Sequence, residues 1–271
     1  MADRARQPDV SAILIAHGEG TMVGVSFRSM LAAVRVAADA GLAVEMLVVL
    51  DKPDEGTREM LVEVATHGAR LLEVSYGDQA PVRNHAVRES DGRFIAFLDG
   101  DDLWTENWLV AAHELCAANV RTIAHPYADW IFGEQRGLWL PPDQTDPEFE
   151  PATLRVTNAW DALSFAPCEA FLDHPFQARD LAQGYAFEDW LWNLETIASG
   201  YVHRVVPDTI HFKRSRAGSQ FRHASSNRST TRATAFHDYA WLAERERSTP
   251  APSRSTSKVS VRTPTTMRGF Q

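Results

Sequence analysis

Arg93-Phe94-Ile95-Ala96-Phe97-Leu98-Asp99-Gly100-Asp101-Asp102 reads as a buried strand that opens onto negative charge, because an apolar run ends in three carboxylates within four residues. Carboxylates crowded at the mouth of a strand repel one another unless a divalent cation or hydrogen bonds to a polar ligand hold them. The same residues also fit a solvated acidic turn in which Asp101 or Asp102 caps a following helix. The surrounding chain has to discriminate between the two.

Upstream, Val10–Ala16 is almost wholly apolar and is followed by the turn His17-Gly18-Glu19-Gly20. Val23, Phe27, Met30, Leu31, Val34 and Ala38 recur at helical spacing, and Gly41 ends that helix. A second apolar strand, 44–50, stops at Asp51-Lys52-Pro53-Asp54. A helix over about 57–66, a strand at 71–74 and a short helix near 81–88 then lead into the strand 94–98. Such alternation predicts a mostly parallel sheet covered on both faces. Ligands of open sheets collect beyond the carboxyl ends of the strands, where His17, Glu19, Asp51 and Asp99 to Asp102 all fall. No G-x-G-x-x-G or G-x-x-x-x-G-K-[ST] follows the first strand, which argues against dinucleotide-binding and P-loop readings.

Downstream, Thr105 is placed to cap a helix carrying Trp108, Leu109, Ala112, Leu115 and Cys116, with a strand at 122–124 after it. Residues 133–151 are rich in Pro, Asp and Gln and read as a long surface excursion. Trp160, Phe165, Phe171 and Phe176 supply apolar mass. Glu188-Asp189 opens a helix on which Leu191, Leu194 and Ile197 share a face, and the helix start favours carboxylates whether they do chemistry or only stabilise it. Strands at 201–206 and 209–212 precede Lys213-Arg214-Ser215-Arg216-Ala217-Gly218-Ser219, whose three cations suit a diphosphate-holding loop and equally an exposed basic turn. Phe236, Tyr239, Ala240 and Ala243 suggest one more helix, and 248–271 has too little apolar content to fold.

Composition narrows the class. The 271 residues carry a formal net charge of −9, which argues against general nucleic-acid binding. Cys116 and Cys168 form no C-x-x-C, so neither a zinc site nor a disulfide framework is indicated, and a cytoplasmic setting suits them. The polar N-terminus lacks the apolar core of a signal peptide. No apolar run approaches the ~20 residues of a membrane-spanning helix, so the chain is expected to be soluble, with peripheral membrane association at most.

Five markers, taken in order, carry a resemblance: Ala16-His17-Gly18-Glu19-Gly20, Val48-Val49-Leu50-Asp51, Ala80-Pro81-Val82-Arg83-Asn84, Phe97-Leu98-Asp99-Gly100-Asp101-Asp102 and Phe187-Glu188-Asp189-Trp190. Over roughly 10–219 the chain resembles a non-processive, inverting family 2 glycosyltransferase of the hexosyltransferase type with the GT-A fold. That resemblance implies an α/β fold: a Rossmann-like, mostly parallel central sheet flanked by helices. It divides the chain into a nucleotide-sugar-binding half (1–104) and an acceptor-binding and catalytic half of the same domain (105–224), followed by a C-terminal helix (225–247) and a tail (248–271).

By the same resemblance the donor is a nucleotide-diphosphate sugar, a UDP-sugar first, and the acceptor a glycan, a lipid-linked molecule or a small molecule. Asp51 is expected to contact the base and Arg83 to enter the nucleotide pocket, with His17, Glu19, Glu188, Arg214 and Arg216 also on the nucleotide-sugar side. Asp99 and Asp101 match a D-x-D motif, Asp101 for Mg²⁺ or Mn²⁺ and Asp99 for ribose or metal, and Asp189 matches the catalytic base.

Departures from the family pattern are Lys52-Pro53 where many relatives have Gly-Ser, and Arg216 where many have a histidine, which makes His211 a substitute candidate for metal. Ser219-Gln220-Phe221-Arg222 is not the Q-x-x-R-W of processive synthases. Two alternatives stay open. A sugar-nucleotide pyrophosphorylase is expected to carry a Gly- and Arg-rich first loop, and a non-catalytic sugar- or nucleotide-binding protein has no need of Asp189.

Overall fold

The computed structural model describes residues 7–238, apart from 63 and 219. Its first half alternates as expected: β1 (Val10–Ala16), α1 (Thr21–Asp39), β2 (Val44–Asp51), α2 (Glu55–Met60), β3 (Arg70–Val74), α3 (Gln79–Glu89) and β4 (Phe94–Asp99). The second half runs β5 (Leu103–Trp104), α4 (Trp108–Ala118), β6 (Thr122–Gly133), β7 (Gly137–Trp139), β8 (Phe165–Pro167), α5 (Cys168–Asp173), α6 (Glu188–Ala198), β9 (Val202–Ser215) and α7 (Gln220–Ser226).

All strands join one sheet in the order β3-β2-β1-β4-β8-β6-β9-β5, with β7 on β6. The long pairings β1/β2, β1/β4, β2/β3 and β6/β9 are parallel. The short strands β5, β7 and β8 pair antiparallel, so the sheet is parallel in its first half and mixed in its second. Strand periodicity sends alternate apolar residues to opposite faces. Leu14, Val48 and Leu98 pack with Phe27 and Met30 of α1 and Trp108 of α4. Ile13, Val49 and Phe97 pack with Val82 of α3, Phe171 of α5 and Trp192 of α6.

Helix α1 ends as its sequence predicts. Gly41 takes a left-handed φ of 85°, which glycine adopts without steric cost, and its N–H donates to Ala38 O at 2.9 Å. By length and composition α1 is long and apolar enough to cross a membrane, a departure from the expectation that no such segment exists. Here its Val23, Phe27, Met30 and Leu31 lie in the core.

Several expected boundaries move. The helix over 57–66 divides into α2 and a 3-10 turn, Val64–His67. The Thr105 side chain does not cap α4: Asn107 stands at the start of that helix, the Thr105 carbonyl accepts the Trp108 N–H at 3.0 Å, and the Thr105 hydroxyl accepts the Ile210 N–H at 3.2 Å, tying β5 to β9. The strand at 122–124 extends through Gly133, and the two strands at 201–206 and 209–212 are one strand, β9. The Pro207-Asp208 signal is absorbed as an irregularity opposite Pro126/Ala128, with Asp208 at φ 59°.

The 133–151 excursion turns back as β7 and then docks on β9. Asp143 Oδ2 accepts from Arg204 Nε at 2.9 Å, and Gln144 Oε1 accepts the His203 N–H at 2.9 Å. Ala235–His237 forms a 3-10 turn with Phe236 buried against Leu154, Trp160 and Leu194. The helix expected through Tyr239 to Ala243 and the 248–271 tail lie outside the described residues.

Gly100 explains the spacing of the acidic run. Its N–H donates to Ile15 O at 2.7 Å, and a Cβ there would sit 2.9 Å from Ala16 Cβ and 3.1 Å from that oxygen. Only glycine lets the end of β4 cross this close to β1, which delivers Asp99 and Asp101 to the strand-end edge.

Candidate active site

Strand ends of β1, β2 and β4 assemble the first part of the site. Asp51 is buried, and both carboxylate oxygens are engaged: Oδ1 accepts the Tyr76 N–H at 2.6 Å and Oδ2 the Gly77 N–H at 2.7 Å. Its carbonyl oxygen is hydrogen-bonded to His17 Nδ1. Asp51 therefore braces the loop after β3.

Glu19 Oε2 accepts the His17 N–H at 2.5 Å, and its Oε1 lies 3.3 Å from Arg216 Nη2. The same guanidinium pairs with Asp101, its Nε lying 3.0 Å from Oδ2. Burial pushes the pKa of both Glu19 and Asp101 up, with Arg216 pulling each back. Neither Asp101 nor Asp102 caps α4. Asp102 is buried, its Oδ1 accepts the Arg214 N–H at 2.7 Å, and Lys213 Nζ stands 4.0 Å from its Oδ2. Arg214 thus supplies its backbone to Asp102 while its charge acts on Asp101.

Arg83 links this edge to the second half. It is only 1% exposed and donates Nη2 to Asp99 Oδ1 at 2.8 Å and Nη1 to Glu188 Oε1 at 3.0 Å. Its guanidinium also lies 5.8 Å from the Phe176 ring centre. Burial opposes its charge, but Asp99 and Glu188 outweigh that and raise its pKa. In place of an arginine lining an open pocket, the structure has one sealed between two carboxylates, and a lone arginine on a helix gives no sequence signal of such partners.

Glu188 and Asp189 form the first turn of α6, entered through Phe187 at a left-handed φ of 63°. Asp189 Oδ1 accepts the Trp190 N–H at 2.8 Å, and Oδ2 accepts Asn158 Nδ2 at 3.0 Å. Burial first, then the neighbouring Glu188 charge, pushes Asp189 up to about 7, against the Trp190 amide and Arg83. A carboxylate with that pKa is poised to exchange a proton near neutral pH.

Beside it lies a polar cluster that the sequence reading missed. Lys213 of β9 bonds Asp161, and Asp129 of β6 is buried with Oδ1 unpartnered among the described residues. Despite burial, Lys213 holds Asp161 down at about 2, whereas burial and the Asp161 charge push Asp129 up to about 8. These groups sit on three segments distant in sequence: pairing of β6 with β9 brings Asp129 and Lys213 together, and Asp161 joins them from the irregular segment before β8.

The pKa of Asp129 gives a signed prediction. A carboxyl raised from 3.8 to about 8 contributes stability that is full below about pH 4 and is lost as pH rises through 8. Asp129→Asn should therefore gain stability over wild type as pH rises from 4 to 8, by about 1–3 kcal/mol at the upper end. Urea denaturation across that range checks it, and a pH-independent difference would contradict the assignment.

His211 does not join the Asp99–Asp101 edge. It is fully buried on β9, its ring meets Trp108 edge-on at 4.5 Å, and neither ring nitrogen has a hydrogen-bond partner among the described residues. Its charged neighbours are Asp161 and Lys213 rather than Asp101, and burial lowers its pKa to about 3. Trp104 and Trp108 pack on the ring, which stands with the Asp161–Lys213 pair rather than at the D-x-D edge.

Comparison with known proteins agrees with this fold. Residues 11–170 match the family model described as Glycosyl transferase family 2. The Escherichia coli protein named UDP-Glc:alpha-D-GlcNAc-diphosphoundecaprenol beta-1,3-glucosyltransferase WfgD is 41% identical over 66 residues, 24% of this chain and 26% of that one. The matched region thus spans about a quarter of that relative. Among solved structures, S. aureus TarS 1-349 in complex with UDP-GlcNAc is similar with TM-score 0.56 and 17% identity, covering 80% of this chain and 61% of that one. GalNAc-T7 with UDP, GalNAc and Mn²⁺ is similar with TM-score 0.55 and 11% identity, covering 78% and 44%. At such identities the likeness is one of fold. The mixed α/β sheet with its flanking helices is the GT-A fold of glycosyltransferases. The chain belongs to glycosyl transferase family 2.

Proposed function

We propose that this protein moves a sugar from a nucleotide-diphosphate sugar, a UDP-sugar first, to an acceptor hydroxyl with inversion at the anomeric carbon. The observation that carries the reading is the Arg83 bridge, which joins Asp99 of the D-x-D run to Glu188 of the acidic pair and so brings the two expected functional carboxylate groups together. Glu19, Asp99, Asp101, Arg214 and Arg216 line the donor edge. Arg216 suits diphosphate oxygens because a guanidinium offers paired donors. Asp189 takes the proton of the acceptor hydroxyl as that oxygen attacks from the face opposite the leaving diphosphate.

Asp99 and Asp101 supply hard oxygen donors. Among the described residues no group of three or more His, Cys, Asp or Glu is arranged to hold a metal. That set fits Mg²⁺ or Mn²⁺ sharing one or two protein carboxylates with phosphate oxygens and water, Asp101 first and Asp99 second. When bound, such an ion supplies charge neutralisation at the departing diphosphate. Calorimetric titration with UDP should show tighter binding with Mg²⁺ than with chelator, and Asp101→Asn should lose that difference. Equal metal dependence in the variant would remove Asp101 from the assignment.

A screen of sugar nucleotides tests the reaction itself, with metal-dependent release of nucleoside diphosphate as the expected result. Binding without turnover of any donor would favour the non-catalytic alternative. Formation of a sugar nucleotide from sugar phosphate and nucleoside triphosphate would favour the pyrophosphorylase alternative. The acceptor is a glycan, lipid-linked or small-molecule hydroxyl, added to once, and the two unpaired cysteines fit work in the cytoplasm or at its membrane face.

A further inference from the structure

We propose that Asn158, held in one orientation by Asn193, is a positioning residue that keeps the Asp189 carboxylate ionised and aimed; this rests on reading Asp189 as the base. The polarity of the contact follows from one backbone group. The Trp160 carbonyl can only accept, and it receives Asn193 Nδ2 at 2.7 Å. That nitrogen is also 3.1 Å from Asn158 Oδ1, so Asn158 meets Asn193 with its oxygen and presents Nδ2 to Asp189 Oδ2 at 3.0 Å. Turning the Asn158 amide over would set oxygen against carboxylate and nitrogen against nitrogen, two unfavourable contacts in place of two hydrogen bonds.

The relay is built on a rigid element. Asn193 follows Asp189 by four residues on α6, so the side chain that orients the relay and the carboxylate that receives it lie one turn apart on one helix. Asn193 is buried, and its own Oδ1 is unpartnered among the described residues, a cost that an apolar side chain at this position would avoid.

Charge around Asp189 makes the donor consequential. Glu188 on its own helix and Asp161 on the segment after Asn158 disfavour the ionised form, while Arg83 of α3 and the Trp190 N–H favour it. Asn158 adds a side-chain donor to Oδ2, and a hydrogen bond to the charged form lowers a carboxyl pKa. Sequence alone gives no sign of this, because Asn158 lies in an irregular segment 31 residues before its partner.

Two variants test the relay. Asn158→Ala removes the donor, and Asn158→Asp keeps the shape but cannot donate when ionised and adds a negative charge. The readout is a carbon-13 chemical-shift titration of the Asp189 carboxyl, identified by its absence in Asp189→Asn, beside the pH profile of transfer, with UDP-sugar affinity as the folding control. Expected is a titration midpoint raised by about one pH unit in Asn158→Ala and further in Asn158→Asp, with the low-pH limb of kcat moving in step. An unmoved midpoint overturns the proposal, as does a loss of transfer that is equal at all pH values. A midpoint that moves while the activity limb stays overturns the positioning role, and transfer by Asp189→Asn then shows whether the base reading fell with it. Should Asn158→Ala not fold, the isosteric Asn158→Asp carries the same titration.

Discussion

Asp189→Asn is expected to lower sugar transfer by roughly 10²-fold or more, the scale of general-base catalysis, while leaving UDP-sugar affinity near that of wild type. The substitution keeps the size of the side chain and an oxygen for the Trp190 N–H, and it removes the proton acceptor. A carboxyl raised from 3.8 to about 7 in the folded protein gives up its stabilisation as pH rises through 7, so the stability of the amide variant relative to wild type should improve from pH 4 to pH 8, on top of a pH-independent cost for setting an amide nitrogen against Asn158 Nδ2. For wild type the same pKa predicts transfer that increases with pH through about 7, since the ionised form is the base. Assays of nucleotide release and calorimetric donor binding separate the effects. Near-normal transfer by a folded variant would move the base to Glu188 or elsewhere.

Arg83→Met should cost about 3–5 kcal/mol of folding stability, because it removes the shared partner of two carboxylates and leaves their charges uncompensated. Partial solvent access to Asp99 and Glu188, whose side chains are 21% and 14% exposed, places the expected loss toward the lower end. Neutralising both partners as well, with Asp99→Asn and Glu188→Gln, should recover part of the loss, since no unpaired charge then remains. Chemical denaturation measures each step. A loss below about 1 kcal/mol from Arg83→Met, the scale of a solvent-exposed ion pair, would show that the bridge contributes little.

The parts of this molecule legible in its sequence are those whose physics is local. β1, β2 and β4 are continuous apolar runs stopped by Gly, Asp or Pro, and α1 carries a helical stripe ended by Gly41, so their places follow from neighbours in the chain. In the second half, Pro126 and Pro207-Asp208 are local stop signals that pairing of β6 with β9 overrides, which is why two long strands read as fragments. The site divides in the same way. Carboxylates at a strand end and at a helix start are visible as charge out of place, whereas the partners of Arg83 lie 16 and 105 residues away and those of Lys213 at least 52. The two backbone amides that Asp51 accepts were not legible either, because the loop after β3 had no readable conformation.

The continuity of β9 has a metric consequence. Lys213, which floors the cluster beside Asp189, lies on β9, and Arg216, which sits on the Asp101 edge, follows the last residue of that strand. An extended chain advances ~3.3 Å per residue, so three residues hold the two Cα atoms at most about 10 Å apart. If Arg216 meets the diphosphate and Lys213 underlies the acceptor side, β9 acts as a ruler laid along the reaction axis. Its length cannot adapt to a larger sugar, so any tolerance for bulk has to come from the facing wall, where Asn158 and Trp160 leave regular structure.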